Sequence, residues 1–259
     1  MPTIHETATV HPGAILGDSV IIAAGAVIGA DVELGDGCSV GAHAVLEGPM
    51  QIGSNNRIGP HCVLGTPPQD RAYEGEPTRL EIGNDNVLRE FVTIHRATTK
   101  ENHVTRLGND NYLMAYSHVG HDCVLGNHIT MANAATLAGH VSVGDHVNIA
   151  GLCAVHQFAR IGAYAMLGGG TMAPMDIPPY AMASGNHARL YGVNRRGLQR
   201  HGFEADIIRQ IRTAYRLLFR DGLRLNEALA AIEANAGLQS QPIRDLLDFI
   251  RTSKRGITR

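Results

Sequence analysis

The stretch that decides the fold is residues 10–46, which read VHPGAILGDSVIIAAGAVIGADVELGDGCSVGAHAVL. An apolar residue returns at every sixth position, and we number each repeat from that residue, as position one. The residues in phase are Ile4, Val10, Leu16, Ile22, Ile28, Leu34, Val40, Leu46, Ile52, Ile58 and Leu64, then Ile82, Leu88 and Ile94, then Leu107, Leu113, Val119, Leu125, Met131, Leu137, Val143, Ile149, Val155, Ile161 and Leu167. A period kept over this length predicts a repeat architecture.

The other positions of the repeat indicate its shape. Position two is often glycine, which allows a turn or a close approach of the backbone. Position five is small or compact, as in Ala26, Cys38 and Ala135, so positions one and five are expected to face inward together. A short strand and a turn in each repeat predict a triangular coil, with rungs stacked about 4.8 Å apart. The predicted fold is an all-β parallel β-helix, a hexapeptide-repeat solenoid whose narrow shaft explains the 5% aromatic content.

The cysteines follow the same pattern, because Cys38, Cys62, Cys123 and Cys153 all fall at position five. We predict that they are core residues without a redox or metal role, which fits a reducing compartment. No apolar run is long enough to span a bilayer, and residues 1–8 lack the features of a signal peptide. The sequence therefore predicts a cytoplasmic protein with no membrane span.

Two excursions interrupt the period, near residues 70–81 and 100–106. Insertions in a solenoid project from one edge and tend to build sites, and we expect the first to reach a neighbouring molecule. Prolines after the last repeat force an extended exit. We predict a β-helix over residues 1–189 and a C-terminal α-helical domain over 190–259, with helices at about 203–220, 225–236 and 243–252.

The C-terminal region is the basic end of the chain, since residues 190–259 hold 13 Lys and Arg against 7 Asp and Glu. Its helices are expected to cover the open end of the solenoid. Their basic surface fits an acidic partner as well as it fits simple solvation. No nucleic-acid partner is predicted, because interleaved exposed aromatic residues are missing.

The chain has 14 histidines; those that fall in register occupy outward positions, and most are expected to be surface residues. His121, His140 and His156 differ because 19 and then 16 residues separate them, close to the length of one rung. They are predicted to line one edge of the coil within about 10 Å, or two rung spacings, with His118 near the same edge. Such a column can bind a metal or act as a general base.

General-base catalysis needs a histidine, an acid that holds it, and a backbone N–H that receives charge from the attacked carbonyl. His121, Asp122 and Gly139 could supply these groups. Direct transfer is favoured over an acyl-enzyme because the cysteines are predicted to be buried.

No metal or cofactor is assigned. Two alternatives remain: a metal-binding protein similar to the γ-class carbonic anhydrases, whose histidine spacing differs, and a non-catalytic trimeric scaffold.

Six motifs carry a more specific resemblance: Gly75-Glu76-Pro77-Thr78-Arg79, Thr93-Ile94-His95-Arg96, His118-Val119-Gly120-His121-Asp122-Cys123, Leu137-Ala138-Gly139-His140-Val141, Val155-His156-Gln157-Phe158 and Gly185-Asn186-His187-Ala188. The chain resembles the UDP-N-acetylglucosamine O-acyltransferases, which catalyse the first step of lipid A biosynthesis. The resemblance implies a left-handed coil and a homotrimer with sites between subunits. It also implies transfer of an R-3-hydroxyacyl group from acyl carrier protein to the 3-hydroxyl of UDP-N-acetylglucosamine.

The resemblance further implies roles for single residues. His121 matches the catalytic base, Asp122 its neighbour and Gly139 the oxyanion amide. Positions around the sugar and pantetheine are Asp70, His118, His140, His156 and Gln157, and those on the nucleotide side are Asn194 and Arg200. Gly169 matches the position that limits acyl length, Met172 is expected to cap the groove a little deeper, and His187 is assigned to the same task.

Three positions depart from the family. It usually has lysine where this chain has Ala72, glutamate where it has Arg196, and often arginine where it has His201. Loss of the lysine should weaken the hold on phosphate, and we expect Arg195 or Arg196 to restore it.

The nearest rivals are N-acyltransferases of the same pathway, whose additional uridine-binding domain has no room before the first repeat at Ile4. The residues do not distinguish a sugar hydroxyl from an amine as acceptor.

Overall fold

The computed structural model describes all 259 residues as 28 strands and four helices. Sheet A contains β1 Thr3–Ile4, β4 Ile21–Ile22, β7 Ser39–Val40, β10 Arg57–Ile58, β13 Val87–Leu88, β16 Tyr112–Leu113, β19 Thr130–Met131, β22 Asn148–Ile149, β25 Met166–Leu167, β27 Ala181–Ser184 and β28 Arg189–Val193. Sheet B contains β2 Thr9–Val10, β5 Val27–Ile28, β8 Val45–Leu46, β11 Val63–Thr66, β14 Thr93–His95, β17 His118–Val119, β20 Thr136–Leu137, β23 Ala154–Val155 and β26 Met172–Ala173. Sheet C contains β3 Ile15–Leu16, β6 Val32–Leu34, β9 Met50–Ile52, β12 Arg79–Ile82, β15 Val104–Leu107, β18 Val124–Leu125, β21 Ser142–Val143 and β24 Arg160–Ile161.

The three sheets are the faces of a prism, and each strand pairs in parallel with the strand one rung away. Val119 is opposite Leu137, and Leu137 is opposite Val155. The one antiparallel pair is β27 with β28, at the C-terminal end of the coil. Successive strands along the chain therefore lie on successive faces, and a side chain keeps its face from rung to rung.

Positions one and five fill the shaft, as the pattern predicts. Position-one residues from Ile22 onward are buried, and all four cysteines are buried and unpaired. The first rungs are an exception, because Ile4 at the N-terminal end of the prism is 45% exposed. The core is thus one continuous aliphatic column that is open at its N-terminal end.

The glycines of position two serve close packing between rungs. A Cβ atom added to Gly35 would lie 2.6 Å from the carbonyl carbon of Gly53, and one added to Gly41 would lie 2.5 Å from the nitrogen of Pro60. The left-handed backbone conformation occurs instead at position four, for example at His43 with φ 56°. Glycine offers both freedom to adopt a positive φ and the absence of a side chain, and the glycines at position two use only the second property.

The two excursions lie a few residues earlier than the sequence predicts. β11 ends at Thr66 and β12 begins at Arg79, so the first loop covers residues 67–78. The second loop covers residues 96–103. The predicted ends at 81 and 106 are wrong because β12 and β15 are paired strands of sheet C. Their outward faces are polar: the Glu81 carboxylate accepts from Arg79 Nε at 2.7 Å and from Arg106 Nε at 2.8 Å.

The C-terminal helices are α1 Arg195–Arg200, α2 Ala205–Phe219, α3 Leu225–Glu233 and α4 Gln241–Arg251. Helix α2 buries Ile211 and Tyr215, and the Tyr215 hydroxyl donates to the carbonyl of Pro179. β28 extends sheet A beyond the predicted boundary at residue 189, so the helical part begins at Arg195. No helix in the structure has both the length and the apolar character of a membrane-spanning segment.

Candidate active site

The turns between sheets B and C place three pairs of residues on one edge of the prism. These pairs are His121 with Asp122, Gly139 with His140, and Gln157 with Phe158. The backbone N–H of His140 donates to the His121 carbonyl at 2.9 Å, and that of Phe158 donates to the Gly139 carbonyl at 3.2 Å. Backbone hydrogen bonds between rungs therefore bring together residues that are 18 positions apart in the chain.

The centre of this edge is a histidine–aspartate pair. His121 Nδ1 lies 2.7 Å from Asp122 Oδ2, and the Asp122 side chain is 2% exposed. Burial raises the pKa of Asp122, but hydrogen bonds from His121 and Thr98 more than offset this, so the pKa stays below its usual value. The carboxylate can only accept a hydrogen bond, so Nδ1 of His121 carries the proton and Nε2 is left as an acceptor.

Thr98, in the second excursion, holds Asp122 from the other side. Its backbone N–H donates to Asp122 Oδ2 at 3.0 Å, and its hydroxyl donates to the same oxygen at 2.8 Å. Thr105 accepts from the Asp122 backbone N–H at 2.8 Å. The six-residue period contains no signal for Thr98, because this residue lies where the period is interrupted.

Gly139 lies directly against the His121 ring. A Cβ atom at Gly139 would lie 2.5 Å from Cε1 and 2.6 Å from Nε2 of His121. The backbone N–H of Gly139 makes no hydrogen bond within the chain. A free N–H donor and a free imidazole acceptor thus share one small space, as a general base and an oxyanion site require.

His140 is the next imidazole on this edge. Its ring stacks on Phe158 at 4.4 Å and meets the His121 ring edge to face at 5.1 Å. Its Nδ1 lies 3.2 Å from the Glu101 carboxylate and its Nε2 lies 3.7 Å from Asp122. One ligand atom each from His121, Asp122 and His140 lie within 4.8 Å of one another, close enough to hold a metal ion, although the His121 nitrogen nearest Asp122 is already hydrogen-bonded.

His118 lies beside this centre on β17. The Thr93 hydroxyl is 2.8 Å from His118 Nδ1, and the His95 ring meets the His118 ring at 5.3 Å. Burial, together with the smaller effects of the neighbouring His95 and His121, lowers the pKa of His118 to about 4. His118 is therefore neutral near pH 7.

The remaining predicted residues around the sugar and pantetheine occupy the same edge or the adjacent loop. His156 and Gln157 are exposed one rung beyond Gly139, and His156 Nδ1 lies 3.1 Å from the Gln157 carbonyl. Asp70, in the first excursion, pairs with Lys100 of the second excursion. The pair of Asp70 and Lys100 therefore joins the two excursions.

The predicted nucleotide-side residues lie at helix α1. Asn194 caps this helix, since its Oδ1 accepts from Gly197 N at 3.1 Å and its Nδ2 donates to the Tyr164 carbonyl at 2.9 Å. Both ends of its amide are thus used to join the helix to the coil. Arg200 is exposed in the last turn of α1, and His201 contacts the His146 and Tyr164 rings.

The predicted acyl-length residues share another part of the C-terminal rungs. Gly169 is in the turn before β26, and the Met172 side chain on β26 is 36% exposed. The Met172 backbone accepts from Ala188 N at 2.8 Å, which places the segment with the exposed His187 beside it. Met172 and His187 therefore belong to one surface region.

The repeats match a family of known proteins. Residues 13–48 and 31–66 match the bacterial transferase hexapeptide family, described as six repeats. The coil and its site thus define a hexapeptide-repeat transferase. Residues 176–258 match the second domain of the family described as Udp N-acetylglucosamine O-acyltransferase.

Full-length relatives specify the family. The O-acyltransferase of Herminiimonas arsenicoxydans, named for acyl carrier protein and UDP-N-acetylglucosamine, is 50% identical over 262 residues and covers 100% of both chains. The relative of the same name from Burkholderia lata is 48% identical over 195 residues, 74% of each chain. The chain belongs to the UDP-N-acetylglucosamine O-acyltransferase family.

Solved structures agree with this membership. The UDP-N-acetylglucosamine acyltransferase of Bacteroides fragilis has a TM-score of 0.96 and 39% identity, covering 99% of this chain and 100% of that one. The O-acyltransferase of Moraxella catarrhalis has a TM-score of 0.95 and 40% identity, covering 99% of both chains. The predicted left-handed parallel β-helix and the predicted acyltransferase class are confirmed.

Thr98→Val should lower kcat for acyl transfer about tenfold, because it removes one hydrogen bond to a buried carboxylate. KM should change little, and Thr98→Ser should restore the rate. The downfield proton resonance of His121 Nδ1–H should also move upfield in the valine variant. The matched control is Thr99→Val at an exposed neighbouring threonine. An unchanged resonance together with an unchanged kcat would remove Thr98 from the site.

His118 should make stability depend on pH. Below pH 6.5, the ordinary pKa of histidine, the unfolded chain binds a proton at this residue, whereas the folded chain does not until about pH 4. The stabilising contribution is complete above pH 6.5 and is lost as the pH falls towards 4. Urea unfolding at pH 7.5 and 5 should show a smaller loss in His118→Asn than in the wild type, with His11→Asn as the exposed control. Equal losses in all three proteins would contradict the assignment.

Proposed function

We propose that this protein transfers an R-3-hydroxyacyl group from acyl carrier protein to the 3-hydroxyl of UDP-N-acetylglucosamine, the first step of lipid A biosynthesis. The observation that carries the proposal is the pairing of His121 Nδ1 with the buried Asp122, which leaves Nε2 as an acceptor beside the free N–H of Gly139. Family membership supplies the substrate class.

The reaction balances on these groups without a covalent enzyme intermediate. Nε2 of His121 takes the proton of the sugar hydroxyl while the hydroxyl oxygen bonds to the thioester carbon. The carbonyl electrons move to oxygen, which accepts from the Gly139 N–H. As the oxyanion collapses, the carbon–sulfur bond breaks, and the pantetheine thiolate takes the proton back from His121. Asp122 stabilises the imidazolium that exists between these two transfers.

Direct transfer also follows from the state of the cysteines. Burial raises the pKa of the Cys123 thiol to about 12, and the thiol donates to the Ala138 carbonyl at 3.1 Å. A nucleophilic thiolate therefore does not form there near neutral pH. Because all four cysteines are buried and free, we also infer that the protein works in a reducing compartment, the cytoplasm.

The sugar is proposed to lie along the edge formed by His118, His140, His156 and Gln157, with Asp70 at its side. Asn194 and Arg200 are proposed for the nucleotide. The two amide ends of Asn194 are engaged within the chain, so its contribution would be to hold helix α1, whereas the exposed Arg200 guanidinium is free for direct contact.

Acyl carrier protein is proposed to dock on the helical end of the chain. A cavity of about 630 Å³ there is lined by six arginines: Arg195, Arg209, Arg212, Arg216, Arg220 and Arg259. Carrier protein is acidic, and complementary charge speeds encounter and fixes orientation. This cavity is the feature that favours an acidic protein partner over solvation alone.

A homotrimer with sites between subunits is proposed as the working form. An aromatic ladder runs along the turns between sheets A and B, where His61, Phe91 and Tyr116 stack at 4.9 Å between neighbouring rings. Phe91 is 42% exposed, Tyr116 60%, and Leu152 on the same edge 69%. An exposed apolar column of this length supports a contact with further copies of the chain.

His121→Ala should reduce acyl transfer by at least about a hundredfold, because the base is lost, while light scattering shows an unchanged oligomer. The assay uses purified protein, R-3-hydroxyacyl carrier proteins, and sugar nucleotides with a hydroxyl or an amine at position 3. His11→Ala is the surface control. Absence of transfer by the wild-type protein would support the scaffold alternative, and full activity in His121→Ala would exclude His121 as the base. Transfer to the amine alone would change the acceptor, and an inactive wild-type protein with a stoichiometric bound metal would favour the metal-binding alternative.

The acyl-length region should respond to Met172→Gly. The acyl chain is proposed to pass Met172, so removing this side chain should let a longer hydroxyacyl chain bind, with each further buried methylene worth about 0.8 kcal/mol. A series of hydroxyacyl carrier proteins of increasing chain length measures the preference, and Met175→Gly is the exposed control. An unchanged preference in Met172→Gly would exclude this residue from chain-length selection.

A further inference from the structure

Lysine is rare in this protein, and one of its two lysines lies at the site. The chain has 22 Lys and Arg residues in all, but only Lys100 and Lys254 are lysines. Lys254 follows helix α4 near the C-terminus, whereas Lys100 lies in the second excursion, two residues after Thr98. The family resemblance assigns no role to Lys100, and the lysine that it leads one to expect is replaced by Ala72.

Lys100 joins the two excursions. Its ammonium group pairs with Asp70 Oδ2, and the other carboxylate oxygen of Asp70 accepts from Ala72 N at 2.9 Å. The hydrogen bond from Lys100 is the largest of several effects that lower the pKa of Asp70, and His121 contributes to the same lowering. Asp70, Lys100 and the catalytic histidine therefore share one electrostatic environment.

The backbone of Lys100 is fixed relative to the catalytic pair. Its N–H donates to the Thr98 hydroxyl at 3.3 Å, and this hydroxyl donates to Asp122 at 2.8 Å. The side chain remains 53% exposed. An ammonium group has three N–H donors, so pairing with Asp70 leaves two for a ligand.

The carboxylates near the His121 edge would repel an anionic ligand, so a cation is needed to bind one. Asp70, Glu101 and Asp122 present three carboxylates on or near the edge. The nearby Arg96 is not available, because its guanidinium is largely buried and donates to the Gly65 carbonyl at 2.8 Å. A diphosphate entering this region meets net repulsion unless Lys100 offsets it.

We propose that Lys100 binds a phosphate oxygen of the sugar nucleotide while it remains paired with Asp70. The inference rests on the proposed function and makes Lys100, rather than Arg195 or Arg196, the cation that compensates for Ala72. Arg195 lines the arginine cavity at the helical end instead. Lys100 thus positions the substrate, and the chemistry remains with His121.

Binding measurements without an acyl donor test this role. Lys100→Met should weaken binding of UDP-N-acetylglucosamine and of UDP by about tenfold each, the loss of one charge-assisted hydrogen bond. Lys100→Arg should retain most of the affinity. The controls are Arg71→Met, at an exposed cation of the first excursion that makes no ion pair, and Lys254→Met; both should bind like the wild type. Amine-selective acetylation should label both lysines, with UDP-N-acetylglucosamine protecting only Lys100.

The outcomes separate three explanations. If Lys100→Met weakens binding of UDP-N-acetylglucosamine but not of UDP, Lys100 only orients Asp70 towards the sugar, and the phosphate contact is refuted. If Arg71→Met weakens both ligands and Lys100→Met weakens neither, the wrong cation has been assigned. In both cases the proposed function stands. A wild-type protein that binds neither ligand would remove the proposed function, and the lysine assignment with it.

Discussion

The constraint on which this structure depends is the parallel hydrogen bonding of each rung to the next. Where two rungs approach closely, position two is glycine: a Cβ atom added at Gly35 would lie only 2.6 Å from the backbone of the next rung. The same bonding turns sequence separation into spatial proximity, because residues 18 positions apart become neighbours on one face. The edge that carries His121, Gly139 and His140 is built on these stacked columns.

Columns of like side chains are the immediate consequence. Buried amides form one of them, in which Asn56 Oδ1 accepts from Asn86 at 3.0 Å and Asn86 Oδ1 accepts from Asn111 at 2.9 Å. These bonds satisfy polar groups inside the turns that an aliphatic shaft cannot satisfy. His121 and His140 lie on neighbouring rungs one position out of register, so their rings meet edge to face. A rigid stack holds an imidazole and a backbone N–H at a fixed separation, which is what preorganised catalysis requires.

The interruptions of the repeat then complete the site. A regular rung presents only short turns, so it cannot reach around the edge that carries His121. The two loops bring Asp70 and Thr98 to that edge, and each makes contacts that no residue of the repeat could make. The helical end adds a dense set of arginines about the cavity beside α2. The loops and the helical end therefore carry the groups proposed to bind the substrates, whereas the stacked rungs carry His121 and Gly139.

The sequence by itself determined the coil, its core and the edge of histidines, because a period of six fixes the face of every residue in register. His121, Asp122 and Gly139 could be found in this way. Tertiary structure alone decided what lies outside the register. It places the Thr98 hydroxyl against Asp122 and the Lys100 ammonium against Asp70. It also pairs strands whose sequence is polar, such as the one that begins at Arg79. Loop conformation depends on contacts between segments distant in the chain, and no local periodicity encodes those contacts.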